Sequence, residues 1–201
     1  TCTRACKFCN VKTGNPKGLL DADEPKKASE MVELMDLNYI VITSVDRDDL
    51  PDFGSGQFAA VVERVNKDFP KVNVEVLVPD FAVVPEHMHT LAKSNPFVIA
   101  QNIETVERLT HPVRDRRAGY DKTLNALKFY NENYPDIATK SSIMVGLGET
   151  KEELVQTMTD LRNVGVKIVT FGQYLRPSLS HLEVQRYYEP EEYDHLKKIA
   201  Y

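Results

Sequence analysis

Runs of consecutive apolar residues alternate along the chain with segments in which apolar residues recur every three or four positions. The runs predict five β-strands, at residues 39–44, 72–78, 96–103, 138–146 and 166–172. The segments between the strands have the spacing of amphipathic helices. Because the strands are continuous apolar runs rather than alternating ones, we expect a parallel sheet that helices bury on both faces.

Start and stop signals support these helices. Ser55 and Asp121 precede two of the helical segments, and Thr150 with Glu153 predicts a capping box at the start of a third. Gly165 suits the end of that third helix, since glycine adopts a left-handed conformation without strain. Each strand is therefore expected to be joined to the next by a helix.

The number of these units sets the fold class. A last helix is expected over residues 189–201, and one further strand just before Thr1, which makes six β/α units, whereas a complete barrel of eight needs ~250 residues. We therefore predict an α/β fold, a partial (β/α)6 TIM-type barrel that lacks its first strand, as one domain over residues 1–201. Since the chain starts without an initiator Met or a signal peptide, we expect it to be an excerpt of a longer protein.

Charge and composition exclude several classes of partner. Thirty acidic and twenty-five basic residues give a net charge of −5, and no apolar run approaches the ~20 residues of a membrane span. Phosphate binding needs lysines and arginines clustered along one face, and only the loop at residues 111–117 comes close. We expect neither a membrane nor a nucleic acid as the partner.

All three cysteines, Cys2, Cys6 and Cys9, lie within the first nine residues, which rules out a disulfide framework and indicates a metal site. Three thiolates from one loop can ligate three corners of a cubic iron–sulfur cluster and leave the fourth iron open to an external ligand. Zinc is the competing interpretation. A structural zinc ion takes four protein ligands, however, and none of the five histidines has ligand spacing relative to the cysteines.

Polar residues gather where the predicted strands end, the edge that carries the active site in parallel β/α folds. They are Thr43, Ser44, Asp46, Arg47 and Asp48 after the first strand, Asn102 and Glu104 after the third, Lys140, Ser141 and Ser142 within the fourth, and Gln173, Tyr174 and Arg176 after the last. Any one of them alone could cap a helix or satisfy a loop. Their concentration at one edge favours a binding site.

The spacing Cys-x3-Cys-x-aromatic-Cys at the head of a β/α barrel resembles the signature of the radical S-adenosylmethionine (SAM) superfamily. Within it, the chain resembles the lipoyl synthase family, in blocks at residues 2–9, 41–50, 75–80, 102–105, 139–141, 146–150 and 172–178. The blocks Thr-Ser-Val-Asp-Arg-Asp-Asp (43–49) and Gly-Gln-Tyr-Leu-Arg-Pro-Ser (172–178) are specific for that family, and the blocks run in order over nearly the whole chain.

The resemblance implies a sulfurtransferase of the radical SAM type, which inserts sulfur at carbons six and eight of a protein-bound octanoyl group to form the lipoyl cofactor. It implies SAM and a [4Fe–4S] cluster on Cys2, Cys6 and Cys9. A second, auxiliary [4Fe–4S] cluster is expected only in the full-length protein, because its ligands are absent from these residues. The implied partners are an octanoylated lipoyl carrier domain and an electron donor such as flavodoxin or ferredoxin, in the cytoplasm or an organelle matrix.

The resemblance also implies roles for the strand-end residues in binding SAM. Thr43 and Ser44 would bind the amino group, Asn102 and Glu104 the ribose hydroxyls, Lys140 with Ser142 the carboxylate, and Gly146 with Gly148 the adenine, while Tyr174 and Arg176 would close the pocket. The loop at residues 111–117 is either a solvated run of charge or a docking surface for an acidic carrier domain.

Two other functions stay open at this point. One is a different radical SAM reaction on the same core, such as another sulfur insertion or a methylation. The other is a zinc-stabilised interaction module in which the barrel is only a scaffold.

Overall fold

Five strands form a single parallel sheet in the computed structural model, which describes residues 1–200. They are β1 (Tyr39–Thr43), β2 (Asn73–Leu77), β3 (Val98–Ala100), β4 (Ala138–Val145) and β5 (Ile168–Gln173), in that spatial order. The helices are α1 (Glu24–Met35), α2 (Ser55–Asp68), α3 (Pro85–Lys93), α4 (Thr110–Val113), α5 (Tyr120–Asn133), α6 (Lys151–Asn163) and α7 (Pro190–Ala200). Single 3-10 turns lie at Phe81–Val83 and Glu107–Leu109.

The sheet is a half-barrel with helices on one side. Because spatially adjacent strands are also consecutive in sequence, right-handed crossovers place their helices on the same side. Ile40, Val74 and Ile99 face that side and are buried with apolar residues of α2, α3 and α5. On the concave side, Val41 is 51% exposed and Ile168 is 39% exposed. The expectation that helices bury both faces is therefore wrong, whereas the partial α/β barrel is confirmed.

A second apolar core fixes β4 against the helices that flank it. Ile143 and Val145 of β4 pack with Leu127 of α5 and with Leu154 and Leu161 of α6, and all five side chains are almost fully buried. Burial of a side chain of this size stabilises the fold by roughly 1.5–3 kcal/mol. This core sets the position of the loops that follow β4 and β5.

The start and end of α6 are as the sequence predicts. The Thr150 N–H donates to the Glu153 carboxylate at 2.8 Å, and the Glu153 N–H donates to the Thr150 hydroxyl at 3.3 Å. Gly165 has φ +90°, and the hydrogen bonds from the Gly165 and Val166 N–H groups to the Arg162 and Leu161 oxygens close the helix end.

Other helix ends differ from the expectation. Ser55 and Asp121 do not cap their helices; α2 begins at Ser55 itself, where the Asp52 carboxylate accepts the Gly54 and Gly56 N–H groups at 2.9 Å. Helix α1 was not predicted, because only Ser29 and Val32 of it are buried and its apolar pattern is weak. The last helix runs over Pro190–Ala200, and Tyr201 lies outside the described residues. No helix in residues 1–200 is long and apolar enough to cross a membrane.

Candidate functional site

A cavity of about 370 Å³ opens where the carboxyl ends of β1, β2 and β3 meet the cysteine loop. Its lining includes all three cysteines, Thr43, Ser44 and Asp46 after β1, Asp80 after β2, Gln101, Asn102 and Glu104 after β3, and Arg4, Phe8 and Arg114. The sequence predicted that these elements share an edge of the sheet, and the structure brings the cysteine loop together with lining residues as far along the chain as Arg114.

The cysteine loop closes on itself before it meets the sheet. The Cys2 N–H donates to the Lys12 oxygen, and the Gly14 N–H donates to the Cys2 oxygen, both at 2.9 Å. A turn from Cys6 to Cys9 brings the last cysteine back, with a 3.1 Å hydrogen bond between their main chains. A closed loop of this kind keeps the three thiols on one side.

Two of the thiols accept hydrogen bonds from main-chain N–H groups. The Arg4 N–H lies 3.4 Å from Cys2 Sγ, and the Asp115 N–H lies 3.2 Å from Cys6 Sγ. Burial raises the pKa of both thiols, that of Cys6 to about 11. Metal ligation therefore has to displace the protons of these two thiols against a raised pKa, and the N–H groups already point at the sulfurs that would become thiolates.

A buried guanidinium ties the cysteine loop to the sheet. Arg4 lies between the first two cysteines, and its side chain is 5% exposed. It contacts Asp80 through two hydrogen bonds of 2.7 and 2.8 Å, Asp48 at 3.0 Å and Asp46 at 3.1 Å. Burial raises the pKa of Asp46 to about 6 despite the guanidinium. Because these carboxylates follow β1 and β2, Arg4 joins the loop to two strands.

The basic loop at residues 111–117 is partly internal, because Val113 and Arg114 are buried whereas His111 and Arg116 are exposed. Arg114 is buried and donates to the Ile103 oxygen and to the Thr123 hydroxyl, at 3.2 and 3.1 Å. Arg117 pairs with Asp115 at 2.9 Å and with Asp48 at 3.3 Å. The interpretation as a solvated run of charge is therefore wrong for Arg114, whose N–H groups bond oxygens inside the fold, whereas the Arg117 side chain is 40% exposed and forms ion pairs.

The two predicted ribose-binding residues line the cavity, although not as neighbours on a strand. Strand β3 ends at Ala100, earlier than predicted, and Glu104 has φ +67°. The main-chain N–H of Glu104 donates to the Ser142 oxygen, and its main-chain oxygen accepts the Met144 N–H. These two bonds hold the main chain of Glu104 beside β4. Burial raises the pKa of the Glu104 carboxyl. Asn102 and Glu104 therefore reach the cavity from an irregular segment.

Four predicted cofactor-binding residues lie away from the cavity and have other partners. Lys140 donates to the buried Glu75 carboxylate at 2.7 Å, and Ser142 contacts the Thr170 hydroxyl. Tyr174 and Arg176 donate to main-chain oxygens of Leu182 and His181, both at 2.9 Å. Lys140 and Ser142 lie within β4, short of its carboxyl end, which is why they do not reach the rim as expected.

The contacts of Asp80 and Asp115 with the cysteine loop were missed by the sequence analysis. Asp80 lies three residues after Leu77, the last residue of β2, and this position near a strand end could have marked it. Asp115 gave no such signal, since it lies in a loop between two helices and meets Cys6 from 109 positions away.

The donors do not form a site for a single metal ion. Within residues 1–200, no group of three or more His, Cys, Asp or Glu side chains lies close enough to hold one ion. Tetrahedral zinc would need its sulfur ligands roughly 3.8 Å apart, given a Zn–S bond of about 2.3 Å. All three thiols line one cavity, and a cubic iron–sulfur cluster can take three thiolates from one loop.

The profile of the Radical SAM superfamily matches residues 1–161. The chain belongs to the radical SAM superfamily. It is 55% identical over 199 residues to the lipoyl synthases of Francisella tularensis subsp. novicida (strain U112) and Marinobacter nauticus (strain ATCC 700491 / DSM 11845 / VT8), which covers 99% of the chain and 61% and 57% of those proteins. The chain thus spans about three fifths of the length of these curated relatives.

Two solved structures share the fold at low sequence identity. Methylornithine synthase (PylB) superposes with a TM-score of 0.76 at 13% identity, over 99% of this chain and 59% of that one. HydG, a maturase of the [FeFe]-hydrogenase, also gives 0.76, at 16% identity, over 98% and 46%. These likenesses support the half-barrel.

Membership of the superfamily implies SAM and a [4Fe–4S] cluster as cofactors. The residues present fit such a cluster: three thiols line one cavity, and two of them accept main-chain N–H groups.

Proposed function

We propose that this chain is the radical-generating core of a lipoyl synthase. The observation that carries the proposal is the 55% identity over 99% of the chain, which includes the cysteine loop and every strand end that lines the cavity. The substrate would be an octanoyl group on a lipoyl carrier domain, with sulfur inserted at carbons six and eight. When bound, the cluster and SAM supply the one-electron chemistry that removes hydrogen atoms from unactivated carbons.

The residues of the chain have separate parts in this proposal. Cys2, Cys6 and Cys9 would hold the cluster as thiolates, and the N–H groups of Arg4 and Asp115 would donate to two of the sulfurs. Such hydrogen bonds stabilise a thiolate and tune a cluster.

Four cavity residues would bind SAM. The hydroxyl groups of Thr43 and Ser44 at the end of β1 can accept hydrogen bonds from its ammonium group, and the Asn102 and Glu104 side chains can bond its ribose hydroxyls. Lys140, Ser142, Tyr174 and Arg176 lie outside the cavity lining and bond protein groups, so we do not include them in this proposed set.

The proposal extends to partners and to a second cofactor. An electron donor such as flavodoxin or ferredoxin would reduce the cluster. The auxiliary [4Fe–4S] cluster belongs to the full-length protein, since the three cysteines of this chain are already assigned. Without that cluster, we expect this chain to cleave SAM without forming a lipoyl product.

The test compares the 201-residue chain with the full-length protein that contains it. After anaerobic reconstitution, the chain should hold about four irons and four sulfides, and the full-length protein should convert an octanoylated carrier peptide to its lipoyl form, seen by mass. A methylated or otherwise sulfurated product would point to a different radical SAM reaction. Zinc without acid-labile sulfide would support the interaction module instead.

A further inference from the structure

The segment that follows β5 crosses over to the cysteine loop and meets it at the third cysteine. Nε2 of His181 lies 3.2 Å from the main-chain oxygen of Cys9, and the Leu182 N–H donates to the Lys7 oxygen at 3.3 Å. We call residues 178–183 the clasp. This contact joins positions 172 apart in sequence. It lies beside the Cys9 thiol, which accepts no main-chain N–H from residues 1–200, unlike the thiols of Cys2 and Cys6.

The contacts of His181 fix which ring nitrogen carries the proton. A carbonyl oxygen can only accept, so Nε2 must donate to Cys9. In the neutral ring, Nδ1 is then an acceptor, and the Ser178 hydroxyl lies 2.7 Å from it. Ser178 in turn lies 2.8 Å from the Ser180 hydroxyl, which can donate to it. The clasp therefore presents one oriented donor to the main chain of Cys9.

Residues that were expected to bind the cofactor hold the clasp in place. Tyr174 is buried, and its hydroxyl donates to the Leu182 oxygen at 2.9 Å. Arg176 donates to the oxygens of His181 and Leu179. These bonds restrain the main chain on both sides of the imidazole, so its position is set by the end of β5 rather than by the exposed loop itself.

We propose that His181 is a positioning residue for the third cluster ligand: through its hydrogen bond to the Cys9 oxygen, it holds the end of the cysteine loop so that this thiol faces the cavity. The inference rests on the proposed cluster at Cys2, Cys6 and Cys9. Contacts beyond the ligands themselves commonly set metal affinity, because they fix the orientation of the ligand.

The experiment measures iron release from the anaerobically reconstituted chain to a chelator, together with amide hydrogen exchange in the metal-free chain. Loss of one neutral hydrogen bond should speed iron release in His181→Ala roughly three- to tenfold. It should also raise exchange in residues 7–10 and 178–183. His181→Gln should restore most of the wild-type rate, because its amide N–H extends about as far as Nε2. Ser178→Ala removes the hydroxyl that contacts Nδ1, so that the proton is no longer held on Nε2. It should speed iron release and raise exchange by less than His181→Ala does.

His195→Ala is the matched control, because His195 is exposed on α7. It should leave both measurements unchanged. Wild-type rates in both His181→Ala and Ser178→Ala would overturn the proposal, and so would a His181→Gln variant as impaired as His181→Ala. If His181→Ala does not fold, the iron-release rates of Ser178→Ala and His181→Gln still test the proposal. A wild-type chain that takes up no iron and sulfide would contradict the proposed function, while hydrogen exchange would still test the contact with Cys9.

Discussion

The two sides of the cysteine loop are held by contacts of different kinds. On the side of Cys2 and Cys6, the buried Arg4 guanidinium contacts three carboxylates that follow β1 and β2. On the side of Cys9, two neutral hydrogen bonds from the clasp reach main-chain oxygens. A charged, desolvated network is costly to break because the remaining charges stay buried, whereas a neutral bond exchanges with water at little cost.

This difference indicates a loop with a fixed start and an end that opens more easily. The largest expected effects therefore fall on Arg4 and its partners, and the smallest on contacts at the surface.

Replacement of Arg4 should have the largest effect on stability. Arg4→Met leaves Asp46, Asp48 and Asp80 without their shared cation, and we expect a loss of about 3–5 kcal/mol in the free energy of unfolding. Denaturant unfolding of the metal-free chain measures it. The control Arg64→Met removes an exposed ion pair with Asp68 and should change stability by less than about 0.5 kcal/mol. Equal losses in the two variants would refute the distinction between the buried network and the surface.

Asp80 should contribute the most of the three carboxylates. Its side chain is 1% exposed and forms both hydrogen bonds of a paired contact with Arg4. Asp80→Asn should therefore cost about 2 kcal/mol, in the range for hydrogen bonds to charged groups. The same denaturant titration applies, with Asp48→Asn beside it. A larger loss for Asp48→Asn than for Asp80→Asn would show that the paired contact is not the main anchor.

Amide hydrogen exchange in the unaltered, metal-free chain should show directly how easily each side of the cysteine loop opens. The Thr3 N–H donates to the Asp46 oxygen at 3.0 Å next to the Arg4 network, and the Leu182 N–H donates to the Lys7 oxygen at 3.3 Å. We expect Thr3 to be protected at least about tenfold more than Leu182, since local opening follows the weaker contacts. Comparable protection would mean that the loop opens as one unit.

The smallest effect should come from a pH-dependent contact at the edge of the site. Arg47 holds the pKa of Asp49 below its usual range, at about 2, with help from the Gly18 N–H. The pKa of Asp49 is lower in the folded chain than its value of 3.8 in the unfolded chain. Its contribution to the free energy of unfolding is therefore present above pH 3.8 and is lost as the pH falls through about 2.

The stability difference between wild type and Asp49→Asn should therefore be constant above about pH 5 and shrink below it. Unfolding midpoints between pH 2 and pH 6 measure this, with the exposed Asp194→Asn as control. A difference that grows on acidification would contradict the sign of the shift.

Local patterns were enough to predict much of this protein. The apolar runs gave all five strands, although β3 is shorter than expected, and the capping box at Thr150 and the left-handed Gly165 were read from neighbouring residues. The cysteine spacing predicted that three thiols of one short loop lie together, and all three line one cavity. The sequence did not predict helix α1, because most of its apolar residues are exposed and do not recur with the spacing of a buried helix face.

The sequence by itself determined the order of the elements, the parallel sheet and the cysteine site, because each depends on periodicity or on spacing within a few residues. Only the tertiary structure decided the partners of the polar groups. Arg4 meets Asp80 across 76 positions, Asp115 meets Cys6 across 109, and His181 meets Cys9 across 172. Lys140 likewise pairs with Glu75 rather than with the cavity. A polar side chain can bond any complementary group within reach, and the folding of distant strands into one barrel sets which group that is.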